Sequence, residues 1–248
     1  MKLFVCVVDD VRLLPHFLRH YVRYGVTEFH IAAPKHLANS IEILSHDYRV
    51  IQYHDFDAAA SFTGGAEAVT KMREIAQAAE EWVVIVDLDE FIEFPEPVTK
   101  LAEKAEAEGA NIVRGVMYDR FAIDGQLKDF ADDSDLSALF PVRARFRRFV
   151  MGGNEIKGVL VKGELKSFAA HHMFHDERPY SETLEISHYK WNDRALDRTR
   201  MARDLCLAAN SPWDFESEFK RVLDHYELHG RFAWETFGGE IVSGSPGH

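Results

Sequence analysis

"WVVIVDLDEFIEFP", Trp82 to Pro95, is the stretch on which the fold turns. Trp82 to Val86 is apolar throughout, short, and rich in β-branched residues, which is the signature of a buried strand. Asp87-Leu88-Asp89-Glu90 comes at once after it, and then an apolar stretch resumes. Three carboxylates placed together repel one another unless something positive sits among them.

The chain on either side of this stretch has a regular rhythm. Leu3 to Val8 reads as a strand, with Asp9 or Asp10 placed to cap the helix after it. Leu13, Leu14, Phe17, Leu18 and Tyr21 recur at helical spacing, and Gly25 stops that helix. Phe29 to Ala33 predicts a second strand, His36 to Ser45 a short helix, and Arg49 to Tyr53 a third strand. Asp55 to Gly65 is loop-like. Gly65 to Glu80 predicts a helix with Ala68, Met72, Ile75, Ala76 and Ala79 on one face. Beyond the opening stretch, Lys100 to Glu108 is a charged helix and Ile112 to Met117 a strand. Strands alternating with helices at these spacings predict an α/β fold with a mostly parallel, doubly wound sheet and helices on both faces.

After Tyr118 the rhythm changes. Asp129 to Asp135 is an acidic loop. Val142 to Val150, Ile156 to Val161 and Glu182 to Ser187 predict shorter, antiparallel strands, and Asp193 to Ala209 and Phe215 to Leu228 predict helices. We expect one domain over 1–237, made of a nucleotide-binding half (1–117) and an acceptor-side half (118–237). The Gly- and Ser-rich segment 238–248 reads as a mobile tail.

The bulk numbers narrow the function. The chain has 248 residues, enough to bury a sizeable core, and a formal net charge of −12, which disfavours general nucleic-acid binding. Its two cysteines, Cys6 and Cys206, form neither a disulfide framework nor a zinc site. There is no run of 18 apolar residues to cross a membrane. A soluble cytoplasmic protein is the expectation, and peripheral contact with a membrane-surface substrate stays open.

Open parallel sheets bind ligands beyond the carboxyl ends of their strands, and Asp87 to Glu90 sits at such an end. In extended geometry Asp87 and Asp89 point to one side with Leu88 turned away. Two carboxylates there make a hard-oxygen site for Mg²⁺ or Mn²⁺, which keeps positions for water and substrate phosphates. The plainer alternative is a solvated acidic turn, with Asp capping the next helix.

Three stretches together resemble a known family. "VVDDVRLLPHFLRHYVRYGVTEFHIA" (Val7 to Ala32), "WVVIVDLDEFI" (Trp82 to Ile92) and "LEISHYKWNDRALDR" (Leu184 to Arg198) are similar, in the right order, to bacterial family 2-type glycosyltransferases with a GT-A fold. The family's opening Asn-Glu is replaced here by Asp9-Asp10. Its polar segment after the second strand reads Ala32-Ala33-Pro34-Lys35-His36. The resemblance implies a nucleoside diphosphate sugar donor, UDP-linked as a first guess, and an acceptor that is a glycan, a lipid-linked sugar or a small molecule. It implies that Asp89 holds the metal, that Asp87 meets the ribose or reaches the metal through water, and that Asp9 and Asp10 lie on the nucleoside side. Glu90 stands behind these ligands or is a solvated or capping residue.

Other candidates come from local composition. Lys71 and Arg73, on the helix before the motif, could reach the nucleotide or line a solvated face. "HHMFHDE", His171 to Glu177, offers His171 and His172 as metal ligands and Asp176 or Glu177 as the base that deprotonates the acceptor; Glu155 competes for that role. "HYKW" supplies His188 as a metal ligand or phosphate donor, with Lys190 and Trp191 beside a diphosphate and a sugar, or a core Tyr and Trp flanking a surface Lys. Lys157, at the mouth of a strand, resembles a family lysine and is expected as a donor contact or as a plain surface lysine. Two further readings compete: a haloacid-dehalogenase-type phosphatase with Asp87 as nucleophile, suggested by "VIVDLDEF", and a non-catalytic nucleotide-sugar-binding protein.

Overall fold

The computed structural model describes residues 1–54, 61–78, 80–163, 167–168, 173–174, 176–208 and 215–242. The chain divides into two units: Met1–Val116 with Ile156–Ile186, and Met117–Glu155 with Ser187–His248. Chain order gives β1 (Lys2–Cys6), α1 (Leu14–Arg23), β2 (Glu28–Ala32), α2 (Ala38–Leu44), β3 (Val50–Tyr53), α3 (Ser61–Ile75), β4 (Trp82–Ile85), β5 (Glu90–Glu93), α4 (Val98–Ala107) and β6 (Ile112–Phe121). Then come α5 (Leu136–Leu139), β7 (Val142–Ala144), β8 (Ile156–Lys162), β9 (Ser167–Phe168), β10 (Met173–Phe174), β11 (Pro179–His188), α6 (Ala195–Ala208), α7 (Phe215–His229) and β12 (Glu240–Ile241).

The first unit is built on the expected α/β plan. Its strands run β3-β2-β1-β4 in parallel, the 3-2-1-4 order of a doubly wound sheet. β8 then pairs antiparallel to β4, with Val83 opposite Val161 and Val84 opposite Leu160, and β6 pairs antiparallel to β8. Alternation along each strand sends side chains to opposite faces. Phe4 and His30 stack on one face at 4.5 Å, where Val69 and Met72 of α3 pack. Phe29 points to the other, where Phe17 of α1 meets it at 6.5 Å. Helices therefore cover both faces, which is why the inner strands are apolar at nearly every position. Phe4, Phe17 and Phe29 are fully or almost fully buried, and truncating any of them to Ala removes about 3–5 kcal/mol.

α1 buries Leu14, Phe17, Leu18 and Tyr21, as its spacing requires. Its N-cap is Leu13, with no side-chain cap, and Pro follows in the first turn. Asp10 does not cap it, because that carboxylate is bound to Arg12. Gly25 ends the element at φ 90, a conformation only glycine adopts without strain.

The second unit packs Phe121, Phe146, Trp191, Val222 and Phe232 into a core of its own. The strand expected over Val142 to Val150 stops at Ala144, and residues Arg147–Met151 form a π-helical turn closed by Gly152 at φ 78. Phe146 is buried while Phe149 is exposed, a spacing that a strand could not satisfy alongside a buried Met151. The expected tail is partly ordered: Glu240 pairs with Arg143 and Ile241 with Val142, and 243–248 lie outside the described residues. So do 55–60, within the expected loop; α3 already begins at Ser61.

Candidate active site at the end of β4

β4 gives way to a tight turn rather than an extended run. The N–H of Glu90 donates to the carbonyl of Asp87 at 3.1 Å, and the N–H of Asp87 donates back to Glu90 Oε2 at 2.9 Å. Asp87 and Asp89 thus belong to a turn, which corrects the extended same-side geometry expected of them. β5 starts at Glu90 itself. α1 steadies it from the side: the Tyr21 hydroxyl donates to the carbonyl of Glu90 at 2.8 Å and accepts from the N–H of Ile92 at 3.3 Å.

The positive charge among the carboxylates is Lys157. Extending the β4–β8 register places it across from Asp87. Its ammonium donates to Asp87 Oδ2 at 2.6 Å, and to Glu90 Oε1 and Oε2 at 2.9 and 2.8 Å. The side chains of Lys157 and Glu90 are each 1% exposed, whereas that of Asp87 is 51% exposed. Burial by itself pushes an ammonium's pKa down, but the charges of Asp87 and Glu90 more than reverse this and hold Lys157 protonated. Lys157 is therefore sealed behind the carboxylates and does not reach a donor phosphate, which corrects its expected role as a donor contact.

Other groups share this edge of the sheet. Cys6 ends β1, and its thiol is pushed up to about 12 by burial, with the Asp87 charge adding to the effect. Asp9 and Asp10 follow β1. Asp10 accepts the Arg12 N–H at 3.0 Å and its guanidinium at 2.9 Å, so it shapes the turn after the strand.

Several predicted residues lie elsewhere. α3 returns to the opposite edge, where Lys2 Nζ at the start of β1 donates to the Ala76 carbonyl at 3.3 Å. Lys71 and Arg73 are on its final turns. Arg73 is buried and donates to the carbonyl of Gly163 at 2.7 Å, just past the end of β8. Arg73 is thereby held away from Asp87. The carbonyl of Asp176 is anchored to Asn111 Nδ2 at 3.1 Å, and Asn111 lies level with Trp82 through its bond to the Lys162 N–H. From Trp82 to Asp87 is about 16 Å at roughly 3.3 Å per residue, beyond the reach a general base needs. Glu177 is bound to the Arg114 guanidinium. Glu155, in the second unit, is buried and accepts from Arg145 Nε at 2.7 Å and from Arg148 Nη1 at 3.0 Å, so its lone pairs are engaged. His171 and His172 lie outside the described residues.

The late His-Tyr motif lies in the second unit. Asp119, 0% exposed, accepts from His188 Nδ1 at 2.8 Å and from Trp191 Nε1 at 2.7 Å through one oxygen, and from the Arg147 N–H at 3.0 Å through the other. Trp191 is a core residue against Phe121 and Phe146, which corrects its expected role in stacking on a sugar. Lys190 lies over the Trp191 and Phe219 rings at 5.6 and 5.7 Å. Asp119 was missed by sequence reasoning. A lone Asp inside the apolar run "VRGVMYDRF" was the available signal, since strands rarely carry Asp without a partner for it.

No protein-family model matches the chain, and no curated protein matches it. Solved structures with some similarity include HddC from Yersinia pseudotuberculosis, at 9% identity and a TM-score of 0.31. That likeness covers 49% of this chain, which spans 59% of the HddC chain. A 4-diphosphocytidyl-2C-methyl-D-erythritol synthase matches 89% of this chain and 84% of its own at 15% identity and a TM-score of 0.34. The corresponding synthase from Anaerococcus prevotii matches 75% and 86% at 13% identity and 0.37. Likeness at this level bears on no residue of the site, and the functional reading rests on the chain's own side chains.

Among the described residues, no three His, Cys, Asp or Glu side chains gather as a metal cage. Mg²⁺ and its relatives do not need one: they bind through one or two carboxylates and complete their shell with water and substrate phosphates. Asp87, with its side chain half exposed, meets that requirement, and Asp89 lies largely buried in the same turn. Glu90 does not, since both its oxygens face Lys157. Among the same residues, no helix is long and apolar enough to cross a membrane.

Proposed function

We propose that the chain is a metal-dependent glycosyltransferase that moves a sugar from a nucleoside diphosphate sugar, with UDP-linked donors first in order of test, to an acceptor hydroxyl. One observation carries this reading. Beyond the carboxyl end of β4, the half-exposed carboxylate of Asp87 is fixed from behind by the buried Lys157, in the same turn as Asp89. That is where a doubly wound sheet presents its ligand-binding groups. The resemblance in three ordered stretches supports the same reading.

In this mechanism Asp87 and Asp89 would hold Mn²⁺ or Mg²⁺. When bound, the cation supplies positive charge to the diphosphate as it departs. The chain's own contribution is preorganisation: Glu90 closes the turn, Lys157 orients Asp87, and Tyr21 fixes β5. These groups need no rearrangement when negative charge builds on the leaving group. The segment after β1, with Asp9 and Asp10, offers the nucleoside side of the same edge.

A phosphatase with Asp87 as nucleophile gains no support. The later acidic stretch it would need makes local structure instead: Asp135 caps α5 through the N–H groups of Ser137 and Ala138. The test is incubation with UDP-linked hexoses and Mn²⁺, following release of UDP, with a generic phosphoester in parallel. UDP release that needs Mn²⁺ and is lost in Asp89→Asn supports the proposal. Phosphoester cleavage without UDP release contradicts it.

A further inference from the structure

We propose that Lys157 is a positioning residue, a permanent internal counter-cation that fixes Asp87 so that the turn can take a single divalent cation with a nucleoside diphosphate. This rests on the glycosyltransferase reading and deepens it. Three observations combine. The ammonium is sealed from solvent at 1% exposure, so it touches no ligand. It spans both carboxylates, 2.6 Å from Asp87 Oδ2 and 2.8 Å from Glu90 Oε2. It comes from β8, which pairs with β4 over Leu160–Lys162 and with β6 at Lys157 itself, opposite Gly115, so the sheet fixes its backbone.

The charges favour this role over a purely structural one. Lys157 places one positive charge against the carboxylates of both Asp87 and Glu90. A buried Lys–Glu pair alone would serve packing no better than two apolar residues of similar volume. What an apolar pair cannot do is hold Asp87 Oδ2 turned inward. Groups that orient a metal ligand from behind are worth about 10–100-fold in metal affinity.

The ammonium acts on a cation at Asp87 in two opposing ways, and the first is to hold the carboxylate in place. The ammonium also repels an incoming divalent cation. A variant that frees Asp87 from the ammonium removes both the repulsion and the anchor, and so shows which of them dominates. We expect the anchor to dominate, because the repulsion is already balanced by Glu90 on the other side of the ammonium.

Lys157→Met alone leaves Glu90 buried without a counter-charge and loses stability. Lys157→Met with Glu90→Gln removes both buried charges and keeps an acceptor for the Asp87 N–H. The decisive experiment therefore uses the double variant. Thermal unfolding without metal reports the fold, and electron paramagnetic resonance of free Mn²⁺, titrated alone and with UDP, reports binding. The expected result is a melting temperature close to wild type, with Mn²⁺ affinity in the presence of UDP reduced 10-fold or more. A folded double variant that binds Mn²⁺ and UDP as tightly as wild type overturns the positioning role and leaves the glycosyltransferase reading standing. Wild-type protein that takes up no Mn²⁺ with UDP overturns both.

Discussion

At the scale of single residues, the site is a balance of charges with one exposed member. Asp87 faces solvent, while Lys157 and Glu90 behind it do not. Cys6 reports on that balance. Its thiol sits at about 12, raised first by burial and then by Asp87. At pH 8 so little is thiolate that alkylation should run about a thousandfold slower than for a free cysteine. Asp87→Asn removes one of the two causes and should speed the reaction severalfold. Mass spectrometry of iodoacetamide-treated protein, with Cys206→Ser removing the second thiol, measures both rates. Equal rates in the two proteins would place Asp87 too far away to act on Cys6. Asp119 makes a second residue-scale prediction. Asp119→Ala strands the His188 ring N–H, the Trp191 indole N–H and the Arg147 N–H in a buried site. Unsatisfied buried donors cost about 1–3 kcal/mol each, so chemical denaturation should show a loss of several kcal/mol. A loss under 1 kcal/mol would mean that water reaches them.

At the scale of elements, α1 and β5 are bound together by a histidine as well as by Tyr21. His20 donates from Nε2 to the carbonyl of Ile92 at 2.9 Å and is ringed by Tyr21, Tyr24 and Phe91. Burial lowers its pKa from 6.5 to about 4, partly offset by that carbonyl. Above pH 6.5 both folded and unfolded chains keep the ring neutral. Below it the unfolded chain takes up a proton that the folded chain refuses. Stability should therefore fall between pH 6.5 and pH 4, with His20 accounting for up to about 3 kcal/mol of the loss. His20→Gln keeps a donor for Ile92 and should flatten that part of the profile in urea denaturation series; an unchanged slope would assign the loss to other groups.

The strands β1, β2 and β4 were legible in the sequence because strands buried on both faces are largely apolar, and the half-buried β3 from its β-branched pair Val50-Ile51. The position of Asp87 at the carboxyl end of β4 was legible because it comes directly after such a strand. Lys157 was visible only as a lysine at a strand mouth, because its partners are fixed by an antiparallel pairing that no local pattern encodes. The same limit explains Arg73: helical spacing gives its element, but only the direction of α3's return shows that it ends away from Asp87. Trp191 looked like a sugar platform from its neighbours His188 and Lys190. Its indole N–H already had a partner in Asp119, far away in sequence.

At the scale of the whole molecule, the first unit contains a doubly wound sheet with Asp87 and Asp89 beyond the carboxyl end of β4, and the acidic chain carries a net charge of −12. A negative protein whose exposed site carboxylate is Asp87 should repel a nucleoside diphosphate unless a cation comes with it. That sign is the central claim, and isothermal titration calorimetry of UDP into the wild-type protein tests it directly. With Mn²⁺ present the account predicts clear binding, and with chelator in its place a loss of affinity of 10-fold or more. UDP that binds equally well in Mn²⁺ and in chelator would contradict it.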